Sequence, residues 1–242
     1  MSTIKLVPGI QADVEMLTAT EAGEVDAGVD AERDHWMGGG ADSSRFVLGT
    51  ASYVECPRTG FSGYMAEARR TNPILSARFG WLFERLRAKV SEMIGAEAGY
   101  EDQLALPGFH VLLHEPARSS STASVHFDQQ YELIDWSMWG HADYERQLSM
   151  TLAVVLPASG GGLLVWNVNR MDLMKIPKDA RQAHREANRT PEYQAYGIGR
   201  LVVHSGHQLH QAASTLNPRP TDRRVTLQAH AVPVDGRWII YW

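Results

Sequence analysis

His126-Phe127-Asp128 sets an imidazole and a carboxylate two residues apart. On a β-strand, residues i and i+2 point to the same face, so the two side chains converge on one ion. The chain has ten histidines, and a core histidine beside a capping aspartate gives the same tripeptide, so a third ligand is needed. The segment from Leu201 to His210 offers His204, His207 and His210. Two histidines and one carboxylate leave three positions of an octahedron open, which suits non-haem iron(II) with dioxygen and a chelating co-substrate. The same ligands with a bound water suit zinc-assisted hydrolysis.

A polar row downstream separates these chemistries. Arg224 lies 14 residues past His210 and begins the run Arg-Val-Thr-Leu-Gln-Ala-His. By alternation Arg224, Thr226, Gln228 and His230 share one face, while Val225, Leu227 and Ala229 take the other. An inward row of such residues is costly unless something polar meets it. An arginine fork matches a carboxylate through paired charge-assisted hydrogen bonds, and Thr226 adds one more. The plainer explanation is a salt bridge from Arg224 to a neighbouring acid. Zinc hydrolysis does not call for an arginine and a threonine behind the metal; a cupin-like module that binds a metal, and a polar ligand through Gln129, Gln228 and His230, without turnover stays open.

The elements that must position these residues are mostly strands. Gly108–His114, Ala123–Asp128, Leu148–Leu156, Gly162–Asn167, Gly199–His204 and Arg224–Val232 are short, aliphatic or β-branched, and bounded by Gly, Pro, Ser or Asp. Asn72-Pro73 opens a helix whose apolar stripe runs from Ile74 to Ile94 and packs on a sheet. Glu21 to Ser44, rich in Gly, Ala and acidic residues, reads as a solvated, irregular connection. The expected architecture is mostly β with flanking helices, a jelly roll or barrel buttressed on one side. It spans 1–242 as one domain, with a helical support region at 1–103, a β core at 104–242 and a polar insert at 175–196, a surface helix.

His126-x-Asp128, His210 and Arg224-x-Thr226 together resemble the motif set of the iron(II)/2-oxoglutarate-dependent dioxygenases, over about Phe109 to Val232. The resemblance implies a double-stranded β-helix (jelly-roll, cupin-like) core. It also implies Fe(II) held by His126, Asp128 and His210, with Arg224 and Thr226 gripping 2-oxoglutarate, and dioxygen as oxidant. Among the three histidines, His210 matches best. Ser149–Gly160, Gly161–Asn167 and Arg224–His230 further resemble stand-alone enzymes that hydroxylate or chlorinate free amino acids. Halogenases of that group replace the metal carboxylate with glycine; this chain keeps Asp128, which favours hydroxylation. Gln129 and Gln130 resemble substrate-contacting positions, and Gln228 and His230 join them because they share a face with Arg224.

Composition narrows the partners. Net charge is -5 over 242 residues with no dominant basic block, which gives no support to a nucleic-acid partner. No segment has signal-peptide or membrane-spanning character. Cys56 is the sole cysteine, excluding an internal disulfide or a cysteine-rich metal site. A cytoplasmic protein acting on a small molecule is expected. His110 and His114 read as core histidines, Trp166 as packing, and Arg69-Arg70 as a solvated helix approach. Trp238–Trp242 is too apolar for a free tail and must dock, closing the pocket or forming an association surface.

Overall fold

The computed structural model describes Val7 and residues 9–38, 44–113 and 124–242; His114 and Ala123 lie outside the described residues. In chain order the elements begin with strand β1 (Ile10–Glu15), helix α1 (Ala19–Ala31), strands β2 (Met37–Gly38) and β3 (Arg45–Leu48), and helix α2 (Ser52–Ile94). Strands β4 (Ala98–Gly99), β5 (Gly108–Leu113), β6 (Leu148–Val155) and β7 (Leu163–Asn169) follow. Helices α3 (Arg170–Lys175) and α4 (Arg181–Ala187) precede β8 (Glu192–Gln194), β9 (Arg200–Ser205), β10 (Gln208–Ala212), β11 (Arg223–Val234) and β12 (Arg237–Tyr241). The larger sheet runs β1-β9-β6-β11-β5-β3-β2, with β12 on β11 and β4 on β12. The smaller sheet is β10-β7-β8.

Strand β11 is the spine of the larger sheet. It pairs with β6 on one edge and with β5 and β12 on the other, so both of its edges are satisfied. Val225, Leu227 and Ala229 join the main core with Phe109, Val111, Met150 and Leu152. Leu75, Phe79, Leu82, Phe83, Leu86 and Val90 of α2 cover that core at helical spacing. The alternate row, Arg224 to His230, is left facing a cavity between the two sheets. Alternation therefore places this row as expected.

Two helices differ from expectation. Helix α2 does not start at Pro73 but at Ser52, and Pro73 lies inside it. The buried stripe continues upstream through Tyr64, Ala68 and Thr71, so tertiary burial outweighs the one backbone bond that proline removes. Asn72 is spent on the tertiary structure: its amide donates to Leu104 O and accepts from Leu106 N. Gly60 breaks the helix near its start with φ 74°. Helix α1 (Ala19–Ala31) takes up the first part of the stretch Glu21 to Ser44 that reads as irregular. Thr18 and Glu21 make a reciprocal capping box, and Ala22, Val25 and Val29 bury one face. Thr18→Ala is expected to cost about 1 kcal/mol in chemical denaturation. No measurable loss would show that the box does not hold α1.

The insert carries α4, which has no buried residue, so it is a surface helix. Region 1–103 also supplies β1 to β4. Trp238–Tyr241 docks as β12, with Trp242 fully buried.

Candidate metal centre and its cavity

His126 and Asp128 do not lie on a strand. His126 makes an isolated antiparallel bridge with His210, each backbone N–H donating to the other's carbonyl at 3.0 Å. Asp128 N donates to Gly206 O at 2.8 Å. A loop is thus stitched onto β10 and the turn before it, so pairing to β10 rather than strand alternation brings the three side chains together. His126 Nε2 lies 3.6 Å from Asp128 Oδ1, and His210 Nε2 lies 3.5 Å from Oδ2. The three candidate ligand atoms all fall within 4.8 Å of one another.

Backbone carbonyls fix the imidazole tautomers. His126 Nδ1 lies 2.7 Å from Ser124 O, and His210 Nδ1 lies 2.8 Å from Gln208 O. A carbonyl oxygen only accepts, so each Nδ1 carries the proton and each Nε2 keeps its lone pair. Burial pushes His210 down to about 4, opposed in part by Asp128. Burial alone would raise Asp128, but His210, His230, His204 and His126 together hold it well below the usual carboxylate range. One carboxylate and two imidazoles whose Nε2 atoms face it make a donor set that fits a divalent first-row metal.

Asp128 is held from three sides. Gln130 Nε2 donates to Oδ1 at 3.1 Å, Gln147 Nε2 donates to the Asp128 carbonyl at 2.6 Å, and the backbone N–H is taken by Gly206. Gly206 is needed for that approach, since a Cβ there would stand 2.3 Å from Gln147 Nε2. Gly206→Ala should therefore weaken metal binding by about 10–100-fold, as removal of ligand-supporting contacts does. Metal titration checks this, and an unchanged affinity would remove Gln147 from the account.

The other candidate histidines separate cleanly. His204 lines the cavity with its ring 4.6 Å from that of His210, its Nδ1 donating to Ser205 O. His207 turns away, bonding Tyr144 O and packing edge-on to Tyr131. His230 is buried, with Nδ1 3.1 Å from Ser149 Oγ.

Arg224 is 8% exposed, and among the described residues it has no acidic partner. Its Nε is buried without a hydrogen bond, and its guanidinium sits 5.5 Å from the Tyr196 ring centroid. No described acid supplies the salt bridge that the plainer explanation requires. Beside it, Thr151 Oγ1 donates to Gln228 Oε1 and Gln228 Nε2 donates to Thr226 Oγ1, both at 3.2 Å. With its oxygen engaged as acceptor, Thr226 has its O–H left to donate. Arg224 and Thr226 are thus uncommitted donors suited to an anion, which fits a carboxylate co-substrate.

No protein-family model matches the chain, and no curated protein matches it. Solved structures do. The non-haem α-ketoglutarate-dependent carbocyclase SnoK from nogalamycin biosynthesis aligns over 93% of this chain and 81% of its own, at TM-score 0.53 and 13% identity. The chain has the jelly-roll fold of these non-haem oxygenases. EvdO2 from Micromonospora carbonacea var. aurantiaca aligns over 93% and 86% at TM-score 0.50 and 14% identity. An N-substituted L-amino acid dioxygenase from Burkholderia ambifaria aligns over 93% and 91% at TM-score 0.48 and 14% identity. At these identities the likeness is one of fold.

The jelly-roll cavity, about 810 Å³, takes in residues from both sheets. His126, Asp128, His210, Arg224, Thr226, Gln129, Gln130, Gln228 and His230 all line it. Gln129 Nε2 donates to Glu132. Arg70 pairs with Glu67, and Trp166 Nε1 donates to Arg189 O; neither they nor Arg69 reach the cavity. Sequence reasoning missed Tyr53, Ser149, Thr151 and Tyr196. Ser149 and Thr151 alternate with core residues on β6, a visible signal; Tyr53 and Tyr196 carry none. His110, read as a core histidine, is half-buried at the wall, its Nε2 2.5 Å from the Tyr53 hydroxyl and its ring beside Trp242.

Burial, then Arg224, Arg45 and His230, push His110 from the ordinary 6.5 to about 4. The unfolded chain takes up this proton first, so metal-free protein should lose stability as pH falls from about 6.5 to about 4. His110→Gln should flatten that limb of a stability–pH curve. An unaltered slope would show that His110 titrates normally.

Proposed function

We propose that the chain is an iron(II)- and 2-oxoglutarate-dependent oxygenase that hydroxylates an unactivated C–H bond of a small organic molecule. The observation that carries this reading is the buried Arg224 without an acid, beside a directed Thr226 hydroxyl, in the same cavity as the two-histidine, one-carboxylate cluster. A zinc hydrolase has no use for that anion grip, and nothing in the cavity favours one.

His126 Nε2, His210 Nε2 and the Asp128 carboxylate would hold iron(II). Iron(II) with 2-oxoglutarate and dioxygen supplies the oxidising power for C–H cleavage, the co-substrate leaving as succinate and carbon dioxide. The chain's own residues do the rest. Arg224 and Thr226 grip the distal carboxylate, and Gln228 keeps the Thr226 proton pointed away from itself. The Ser124 and Gln208 carbonyls hold the imidazoles in the ligating tautomer, and Gln130 and Gln147 keep Asp128 from turning. The apolar wall excludes water that would otherwise compete.

The resemblance implies a free amino acid as substrate; the reading supported by the anion grip is coarser, a small molecule. We place the protein in the cytoplasm, working as one domain. Among the described residues no helix is long and apolar enough to cross a membrane.

The test is co-substrate turnover. Iron-reconstituted protein should convert 2-oxoglutarate to succinate, slowly without a substrate, while zinc-loaded protein should not. Hydrolysis of model esters or amides by the zinc form, with no succinate from the iron form, would contradict the proposal.

A further inference from the structure

The cavity is larger than two small polar ligands need. Allowing each of the ten or so heavy atoms of 2-oxoglutarate the ~30 Å³ share of a liquid water, the co-substrate fills at most about 300 of the 810 Å³. Roughly 500 Å³ remains, room for at least about 15 heavy atoms on the same allowance. That volume is bounded by Val47, Val54, Leu112, Phe127, Leu133 and Trp242. Val54 is 38% exposed, while Val47, Leu112, Phe127 and Leu133 are half-buried. Apolar side chains left open to a cavity gain from an apolar occupant.

Charge complements this. A free amino acid brings an ammonium and a carboxylate, and each needs a counter-charge when taken out of water. Apart from the metal cluster and Arg224, the charged lining residues among those described are already engaged. Glu132 pairs with Arg170 at 2.8 Å, and Arg223 pairs with Asp26 and Asp30. Asp222 accepts from Ala158 N and Arg219 N, and Arg45 likewise has a partner. Among the described residues, the unpartnered buried polar atoms of lining residues outside the Arg224 grip are Gln130 Oε1, an acceptor, Trp242 Nε1, a donor, and Nε of Arg223, whose charge is already met by Asp26 and Asp30.

We propose that the substrate is a bulky, largely apolar, uncharged molecule with a neutral hydrogen-bonding group, and not a free amino acid. This rests on the oxygenase reading of the same site.

The test uses N-phenyl-1-naphthylamine, an uncharged fluorescent probe, with protein carrying manganese(II) and 2-oxoglutarate. Saturable binding is expected, with millimolar leucine or arginine unable to displace the probe. Val54→Glu and Leu133→Arg should each weaken it by about tenfold or more while 2-oxoglutarate affinity holds; Val54, being exposed, bears the change without risk to folding. Displacement by either amino acid, no saturable binding, or no effect of either variant would overturn the proposal. Probe binding without any binding of 2-oxoglutarate would sink the oxygenase reading, and with it the role of the bound molecule as substrate; 2-oxoglutarate binding without probe binding would sink this inference alone.

Discussion

Asp128→Ala should abolish turnover, with succinate formation falling by about 10³-fold or more. Asp128 is the one charged ligand in the cluster and is 5% exposed, so no water or neighbouring acid can stand in for it without rearrangement. A metal's stabilising contribution is several kcal/mol, and each 1.36 kcal/mol is a decade in rate. Gly206→Ala, which disturbs only the support, should fall well short of that. Metal content and succinate yield of the variant, measured against an unchanged thermal transition, check the expectation. Activity within tenfold of the parent would show that Asp128 is not a ligand.

Arg224→Met should have two effects of opposite sign. A charged hydrogen bond contributes about 1.5–3 kcal/mol, so losing a two-pronged grip should raise the KM for 2-oxoglutarate by about 10²–10⁴-fold. Metal-free protein, by contrast, should become more stable. The guanidinium is buried with no acidic partner among the described residues, and burial pushes its pKa down. Its contact with Tyr196 returns only about 0.5–2 kcal/mol, less than an unpaired buried charge costs. A gain of about 1–3 kcal/mol in urea unfolding is expected. Arg224→Lys should keep the charge and lose the fork, giving an intermediate KM. A structural arginine would give the reverse pattern, destabilisation with an unchanged KM.

The parts of the site legible in the sequence are those set by a period of two. Once Arg224 to His230 is read as a strand, the face of each side chain follows, and Val225, Leu227 and Ala229 confirm it by facing the core. The His126–Asp128 pair was legible as residues but not as structure. Its convergence comes from a bridge to His210 and a bond to Gly206, both long-range pairings that leave no periodic trace. Pro73 looks like a first-turn residue and so hides the true start of α2, whereas Tyr64, Ala68 and Thr71 continue the buried stripe across it. Helix α1 carried a readable capping box at Thr18 and Glu21, masked by its Gly- and acid-rich composition. Tyr53 reaches the cavity from a distant helix, so only the folded chain reveals it.

The most direct test is the binding of 2-oxoglutarate to anaerobic protein with and without manganese(II), in the parent and in Arg224→Met. The account predicts tight binding only when metal and Arg224 are both present, because one end of the co-substrate is chelated and the other gripped. Equal binding with and without metal, or binding indifferent to Arg224, would contradict it.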